Sequence, residues 1–210
     1  MSTYKLYYFA ANGRATIPRA ILSAAKAKWT NVKVKQENWP KLKKSGLCEF
    51  EQMPILEIDG NKTLAQSLAI SLYLLRAFNL YGKDVDEQYQ IDSLLCSFDE
   101  DLFTPLAEFI FCSYKKEREK LKKAFVEKYK FYLTKYEARY VALGKGKYFL
   151  GDHFSGADIY VASALPLFCH AIGTCIIKDH APNLALLIER LKEGELKEYH
   201  TSVFDKNMPL

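Results

Sequence analysis

The chain has no uninterrupted apolar run near the roughly 18 residues that a bilayer-spanning helix needs. Its opening, Met1-Ser2-Thr3-Tyr4-Lys5, lacks the apolar stretch of a secretory signal. Together these absences predict a cytoplasmic protein with no membrane partner. Cysteine is sparse: Cys48, Cys96, Cys112, Cys169 and Cys175 are odd in number and widely scattered, with no Cys-x-x-Cys pair and no histidine at zinc-ligand spacing. That pattern argues against a disulfide framework, a metal site and thioredoxin-type dithiol chemistry, and the five read as reduced, mostly buried thiols. Internal repeats and low-complexity segments are also missing.

What is present is an ordinary globular composition. With 210 residues, 49% of them hydrophobic, the chain can fill two moderate cores. Its net charge of +5 is uneven: residues 1–82 carry twelve Lys and Arg against five Asp and Glu, whereas residues 83–210 carry eighteen against twenty. The first part would attract a small anion. Nucleic acid calls for a dense basic stripe with exposed aromatics, and tracts such as Lys115-Lys116-Glu117-Arg118-Glu119-Lys120 instead mix both signs like a solvated helix face.

Tyr4-Lys5-Leu6-Tyr7-Tyr8-Phe9 is aromatic and strand-like, and Ala10-Ala11-Asn12-Gly13 turns the chain into a helix from Arg14 to about Lys26, with Pro18 in its first turn. Val32-Lys33-Val34-Lys35 alternates as a second strand, and residues 38–43 suit no more than a short helix or loop. In residues 51–67, Pro54 suits the start of a strand at Ile55–Ile58. Asp59-Gly60 predicts a tight hairpin, Thr63-Leu64 the return strand, and Ser67 the N-cap of a helix over 68–79. The order β-α-β then β-β-α is a thioredoxin-like arrangement built on a right-handed parallel unit. Beyond Tyr81-Gly82-Lys83 the β signals vanish. Residues 85–112, 115–142, 156–172 and 182–198 show helical spacing, as in Tyr129, Tyr132, Leu133, Tyr136 and Tyr140, whose aromatics read as core. The expected fold class is therefore α/β plus all-α, with a thioredoxin-like domain over 1–82 and an all-α domain over 83–210. Ser155-Gly156-Ala157-Asp158 reads as a structural capping box.

Two blocks at fixed separation, Gln52-Met53-Pro54-Ile55-Leu56-Glu57-Ile58-Asp59-Gly60 and Gln66-Ser67-Leu68-Ala69-Ile70, closely resemble the glutathione-binding segment of glutathione transferases. The sigma class, which includes prostaglandin D synthases and lens S-crystallins, is most similar. The resemblance implies a cis bond before Pro54 that turns the N–H and C=O of Met53 toward the cysteinyl backbone of glutathione, in the manner of an added strand. It also implies a homodimer, glutathione as co-substrate, no tightly bound cofactor, and a small hydrophobic electrophile as second substrate.

The same resemblance supplies candidate roles. Glutathione's thiol resembles that of cysteine, with a reference pKa near 8.5, so a hydroxyl that donates to the sulfur favours its nucleophilic anion. In the pattern Tyr-Lys-Leu-x-Tyr-Phe, followed by Gly-Arg-Ala, that hydroxyl belongs to the tyrosine before the Phe, here Tyr8, and Arg14 adds a favourable field. Tyr7 is the rival and faces the opposite side of a strand. Trp39 and Lys43 would hold the glycyl carboxylate and Gln52 the glycyl end. Gln66 and Ser67 would hold the γ-glutamyl carboxylate at a helix N-terminus. Asp99 or Glu100 would reach the γ-glutamyl ammonium across the dimer. Phe9, Asn12, Leu106, Ile110 and the C-terminal tail would line the electrophile pocket.

Three departures stand out: Glu100 replaces the second Asp of a usual pair, Glu51 stands where the family commonly has Gly, and the end of the chain lacks the usual Arg-Pro. The expected activity is conjugation of glutathione to hydrophobic electrophiles. The alternatives are a glutathione-dependent prostaglandin D isomerase, a non-catalytic crystallin-like carrier, and a basic interaction module that ignores glutathione.

Overall fold

The computed structural model describes residues 2–204. It divides into two compact units, one reaching Leu80 and taken up again at Gly194, the other Tyr81–Glu193. In the first unit four strands, β1 (Thr3–Phe9), β2 (Lys28–Val34), β3 (Ile55–Ile58) and β4 (Lys62–Ala65), form a sheet in the order β2-β1-β3-β4. β1 and β2 are parallel, and parallel neighbours need a crossover, here helix α1 (Thr16–Ala24). The remaining pairs are antiparallel. Leu6 and Leu56 face each other across β1 and β3 and are fully buried, as are Ala20, Ile21 and Leu22 of α1. Each such Leu or Ile side chain contributes about 1.5–3 kcal/mol by leaving water.

The β3–β4 hairpin turns at Asp59 and Gly60, at φ +51° and +74°, the two left-handed positions that an Asp-Gly turn supplies cheaply. The Asp59 carboxylate accepts the N–H of Thr3 at 2.7 Å. Helix α2 is short (Trp39–Lys43), and α3 spans Ser67–Ala77. Three expectations shift. β2 starts at Lys28 rather than Val32, because its pairing with β1 carries residues that do not alternate. A 3-10 turn at Gly13–Ala15 precedes α1, since Gly13 sits at φ +45°. The N-cap of α3 is Gln66, so Ser67 is its first helical residue and no side chain caps the helix.

The second unit is helical: α4 (Val85–Cys96), a π-helical stretch at Ser97–Phe103, α5 (Thr104–Phe111), α6 (Lys115–Ala142), α7 (Gly156–Ile172), α8 (Ile177–His180) and α9 (Pro182–Glu193). Phe125, Tyr129, Leu133, Tyr136 and Tyr140 lie buried on one face of α6. Their hydroxyls are satisfied inside: Tyr129 donates to the Leu165 carbonyl at 2.8 Å, and Tyr136 meets Tyr160 at 3.0 Å and Ser97 at 2.6 Å. These aromatics are core, but Tyr132, expected among them, is only half-buried. The capping box forms as read, with buried Asp158 accepting the N–H groups of Ser155 at 2.9 Å and Phe149 at 2.8 Å.

The last expected helix, 182–198, stops at Glu193, where Gly194 follows. From there the chain clusters with the first unit, although its sequence reads as a continuation of the helical domain. Tyr199 is almost fully buried near α1. Among the described residues no helix is long and apolar enough to cross a membrane.

Candidate functional site

Tyr7 and Tyr8 point to opposite faces of β1, as alternation along a strand requires. The Tyr7 hydroxyl donates to Glu57 at 2.8 Å, and Glu57 also takes Lys5 Nζ at 2.6 Å. Tyr8 instead reaches the β1–α1 turn, where its oxygen accepts the Arg14 N–H at 3.2 Å. That approach requires glycine next door: a Cβ on Gly13 would lie 2.6 Å from the Tyr8 hydroxyl. Burial raises the pKa of Tyr8 above its usual 10, and the Arg14 N–H and the Arg19 and Arg14 guanidinium groups oppose that only in part. The phenol therefore keeps its proton at neutral pH and has it available to donate.

The segment before β3 gathers the second group. The Met53–Pro54 bond is cis, with Met53 half-buried beside the start of the strand. Gln52 is exposed, and its carbonyl accepts the buried Cys48 thiol at 2.9 Å. Trp39 is half-buried and packs edge-on against Phe9, with ring centroids 5.9 Å apart. Lys43 forms an ion pair with Glu51 at 3.2 Å. Glu51 itself has φ +52°, a left-handed conformation natural to the glycine expected there.

Gln66 has φ +70° and ψ +114°, a pairing rare for a residue with a Cβ. It places an exposed amide at the head of α3, whose first turn has no side-chain cap. The Gln66 carbonyl accepts the Ile70 N–H at 2.9 Å, which leaves the earlier amides at the positive end of the helix for an anion. One unit thus contains a proton-bearing phenol, a short stretch of backbone ahead of a strand, a lysine and an uncapped helix start, in a chain whose first part is cationic.

A family model described as the glutathione S-transferase N-terminal domain matches residues 2–76, and one for the C-terminal domain matches residues 100–202. Over 167 residues the chain is 34% identical to hematopoietic prostaglandin D synthase of Mus musculus, an alignment covering 76% of each chain. It is 44% identical to probable glutathione S-transferase 5 of Caenorhabditis elegans over 94 residues, where it spans 45% of that relative's length and of its own. Among solved structures, monomeric Na-GST-3 of Necator americanus is similar at a TM-score of 0.83 and 27% identity, covering 98% of this chain and 100% of that one. The chain belongs to the glutathione S-transferase family. Its relatives place it with sigma-like transferases, which use glutathione as co-substrate and hold no tightly bound cofactor.

In this transferase the residue that sequence reasoning missed is Arg19. It is 2% exposed, and its guanidinium donates to the carbonyls of Phe9 (3.3 Å), Ala11 (2.5 Å) and Asn12 (3.4 Å) and to the Asn31 side chain (3.2 Å). It also lies 5.6 Å from the centroid of the Tyr8 ring. One buried side chain thus ties down the whole turn that carries Tyr8, Gly13 and Arg14. Its signal was the cationic position five residues after Arg14 on the inward face of an apolar helix, where a charge needs a dedicated set of acceptors.

The second unit of the transferase carries the remaining candidates. The π-helical stretch puts Asp99 half-buried and Glu100 exposed, while the next acid, Asp101, pairs with Lys128 at 3.7 Å. π-Helical turns inside longer helices occur often at functional sites. Leu106 is fully buried and Ile110 half-buried on α5. In the first unit Phe9 is half-buried and Asn12 is buried, its carbonyl among the Arg19 acceptors. Of the tail expected near the electrophile, residues 205–210 lie outside the described residues. Among the described residues no cluster of His, Cys, Asp and Glu is gathered that could hold a metal ion.

Proposed function

We propose that this transferase binds glutathione extended along the Met53–Pro54 segment and donates the Tyr8 proton in a hydrogen bond to its sulfur, so that the thiolate attacks a hydrophobic electrophile. The observation that carries this reading is the Tyr8 hydroxyl, held by Arg14 N–H on the acceptor side and kept protonated by burial. A phenol above pKa 10 beside a thiol near 8.5 retains its proton while the sulfur gives its own up. Each unit of depression in the thiol pKa corresponds to about 1.4 kcal/mol of preference for the anion. The Arg14 side chain adds positive potential at the same turn. Tyr7 is disfavoured because its hydroxyl is already spent on Glu57.

The tripeptide would lie with its cysteinyl backbone against the N–H and C=O of Met53. Its γ-glutamyl carboxylate would rest at Gln66 and Ser67 on the positive end of α3, and its glycyl carboxylate near Trp39, Lys43 and Gln52. A second copy of the chain would offer Asp99 or Glu100 to the γ-glutamyl ammonium. A cytoplasmic location, where thiols stay reduced and glutathione is abundant, completes the reading.

The test is calorimetric titration with glutathione, followed by turnover with an activated aryl halide and with prostaglandin H. Tight binding with aryl halide conjugation supports the transferase reading. Turnover of prostaglandin H alone would move the chain to the isomerase reading, for which the similarity to hematopoietic prostaglandin D synthase speaks. Binding without turnover of either would make it a carrier, and absence of binding would overturn all three.

A further inference from the structure

The five cysteines looked unrelated in sequence, but the fold brings two of them together. Cys169 and Cys175 are six residues apart, which in a continuous helix would be about 9 Å along the axis and about 120° apart around it. Helix α7 ends instead at Gly173, φ +78°, whose N–H returns to the carbonyls of Cys169 (3.1 Å) and His170 (3.2 Å), and Thr174 N–H also bonds to Cys169 (3.2 Å). This left-handed return folds the chain back, and the Cys169 thiol donates to Cys175 Sγ at 3.3 Å.

The two thiols differ in access. Cys169 is buried and has the Tyr129 hydroxyl 3.7 Å from its sulfur, whereas Cys175 is exposed. Both line a cavity of about 310 Å³ whose walls include Pro166, Ile177, Ile188 and Lys178, with Lys192 there already paired to Glu189 at 2.7 Å. An exposed thiol, a buried partner in contact with it, and the Lys178 cation beside a largely apolar hollow form a dithiol arrangement.

We propose that Cys169 and Cys175 form a reversible redox site that is oxidised by small anionic disulfides, of which glutathione disulfide is the probe. The Cys175 thiol loses its proton and attacks one sulfur of the disulfide. That S–S bond breaks, a mixed disulfide forms on Cys175, and the departing half takes the proton as a free thiol. Cys169 then loses its proton and attacks the Cys175 sulfur, expelling the second half as another thiol. Two protein thiols are oxidised by two electrons and one small disulfide is reduced to two thiols. Burial, and after it the hydrogen bond with Cys175, pushes the Cys169 thiol up to about 11, which suits it to the second step rather than the first. The site is independent of glutathione binding in the first unit.

The experiment exposes the full chain to glutathione disulfide, blocks remaining thiols by alkylation and maps the products by mass spectrometry. Cys96, exposed but with no thiol partner among the described residues, is the internal standard. The expected result is a linked Cys169–Cys175 peptide, a mass lower by two hydrogens, and reaction at Cys175 on the order of tenfold faster than at Cys96. Cys169→Ala should stop at a mixed disulfide on Cys175, and Cys175→Ser, a surface change, should leave Cys169 reduced. A wild-type chain that accumulates a stable mixed disulfide at Cys175, or whose Cys175 reacts no faster than Cys96, would overturn the proposal.

Discussion

Glu51 shows how much one residue can modulate a site that it does not build. Its left-handed φ of +52° costs about 1 kcal/mol that glycine would not incur, and its carboxylate occupies Lys43, the cation assigned to the glycyl carboxylate. Exposed pairs of this kind contribute about 0–1 kcal/mol, so Glu51→Gln should tighten glutathione binding by up to about fivefold, measured by calorimetry. Glutathione amidated at its glycyl end should show no such gain; equal tightening for both ligands would contradict the competition. Glu51→Gly should add stability as well. Glu57 makes a prediction in pH. Its hydrogen bond from Lys5, and then that from Tyr7, hold its carboxyl below the usual range. The stability it provides is present above its unfolded pKa near 4.3 and is lost as pH falls through the folded value. The urea midpoint of the wild type should exceed that of Glu57→Gln at pH 7, and the gap should close as pH falls below about 4; a gap independent of pH would contradict this.

Among elements, the β1–α1 turn is the one on which the proposed chemistry depends. Gly13→Ala places a Cβ 2.6 Å from the Tyr8 hydroxyl at φ +45°. A left-handed alanine alone costs about 1 kcal/mol, so modest destabilisation should accompany a disproportionate fall in kcat as the phenol is displaced. A purely structural role for the turn would lower stability and leave kcat per folded molecule unchanged. Arg19→Lys keeps the charge and loses the planar fork that serves Phe9, Ala11, Asn12 and Asn31 together. Breaking one partner of such a buried set costs about 3 kcal/mol, and thermal unfolding should register it.

The same turn marks the limit of what the sequence revealed. Its strand and glycine were legible from pattern, because periodicity and turn chemistry are local, and Arg14 came only from the resemblance to the family. Arg19 was not, since its acceptors are carbonyls that meet only after the chain has folded. Gln66 shows the same limit: the Ser67 cap was a sound local choice, yet the backbone at the head of α3 takes a positive φ that no local preference foretells. The π-helical stretch at Ser97–Phe103 likewise has a plain helical pattern in sequence.

For the whole molecule, the order of elements and the all-α second unit were readable because hydrophobic spacing switches near residue 82. The return of the chain after Glu193 was not, because Leu196 and Tyr199 satisfy a helical spacing equally well in either unit. Assembly is the property that a single chain displays least. A homodimer predicts a sedimentation mass of twice 24.1 kDa. A wild-type monomer would instead align this chain with the relative described as monomeric.

The most direct measurement is the ultraviolet difference absorbance of the thiolate of bound glutathione as pH is raised, on the wild type and on Tyr8→Phe. The account predicts ionisation below the free thiol value near 8.5 in the wild type, and a return to ordinary ionisation in Tyr8→Phe with glutathione still bound. Bound glutathione that ionises identically in both proteins would contradict the role of Tyr8.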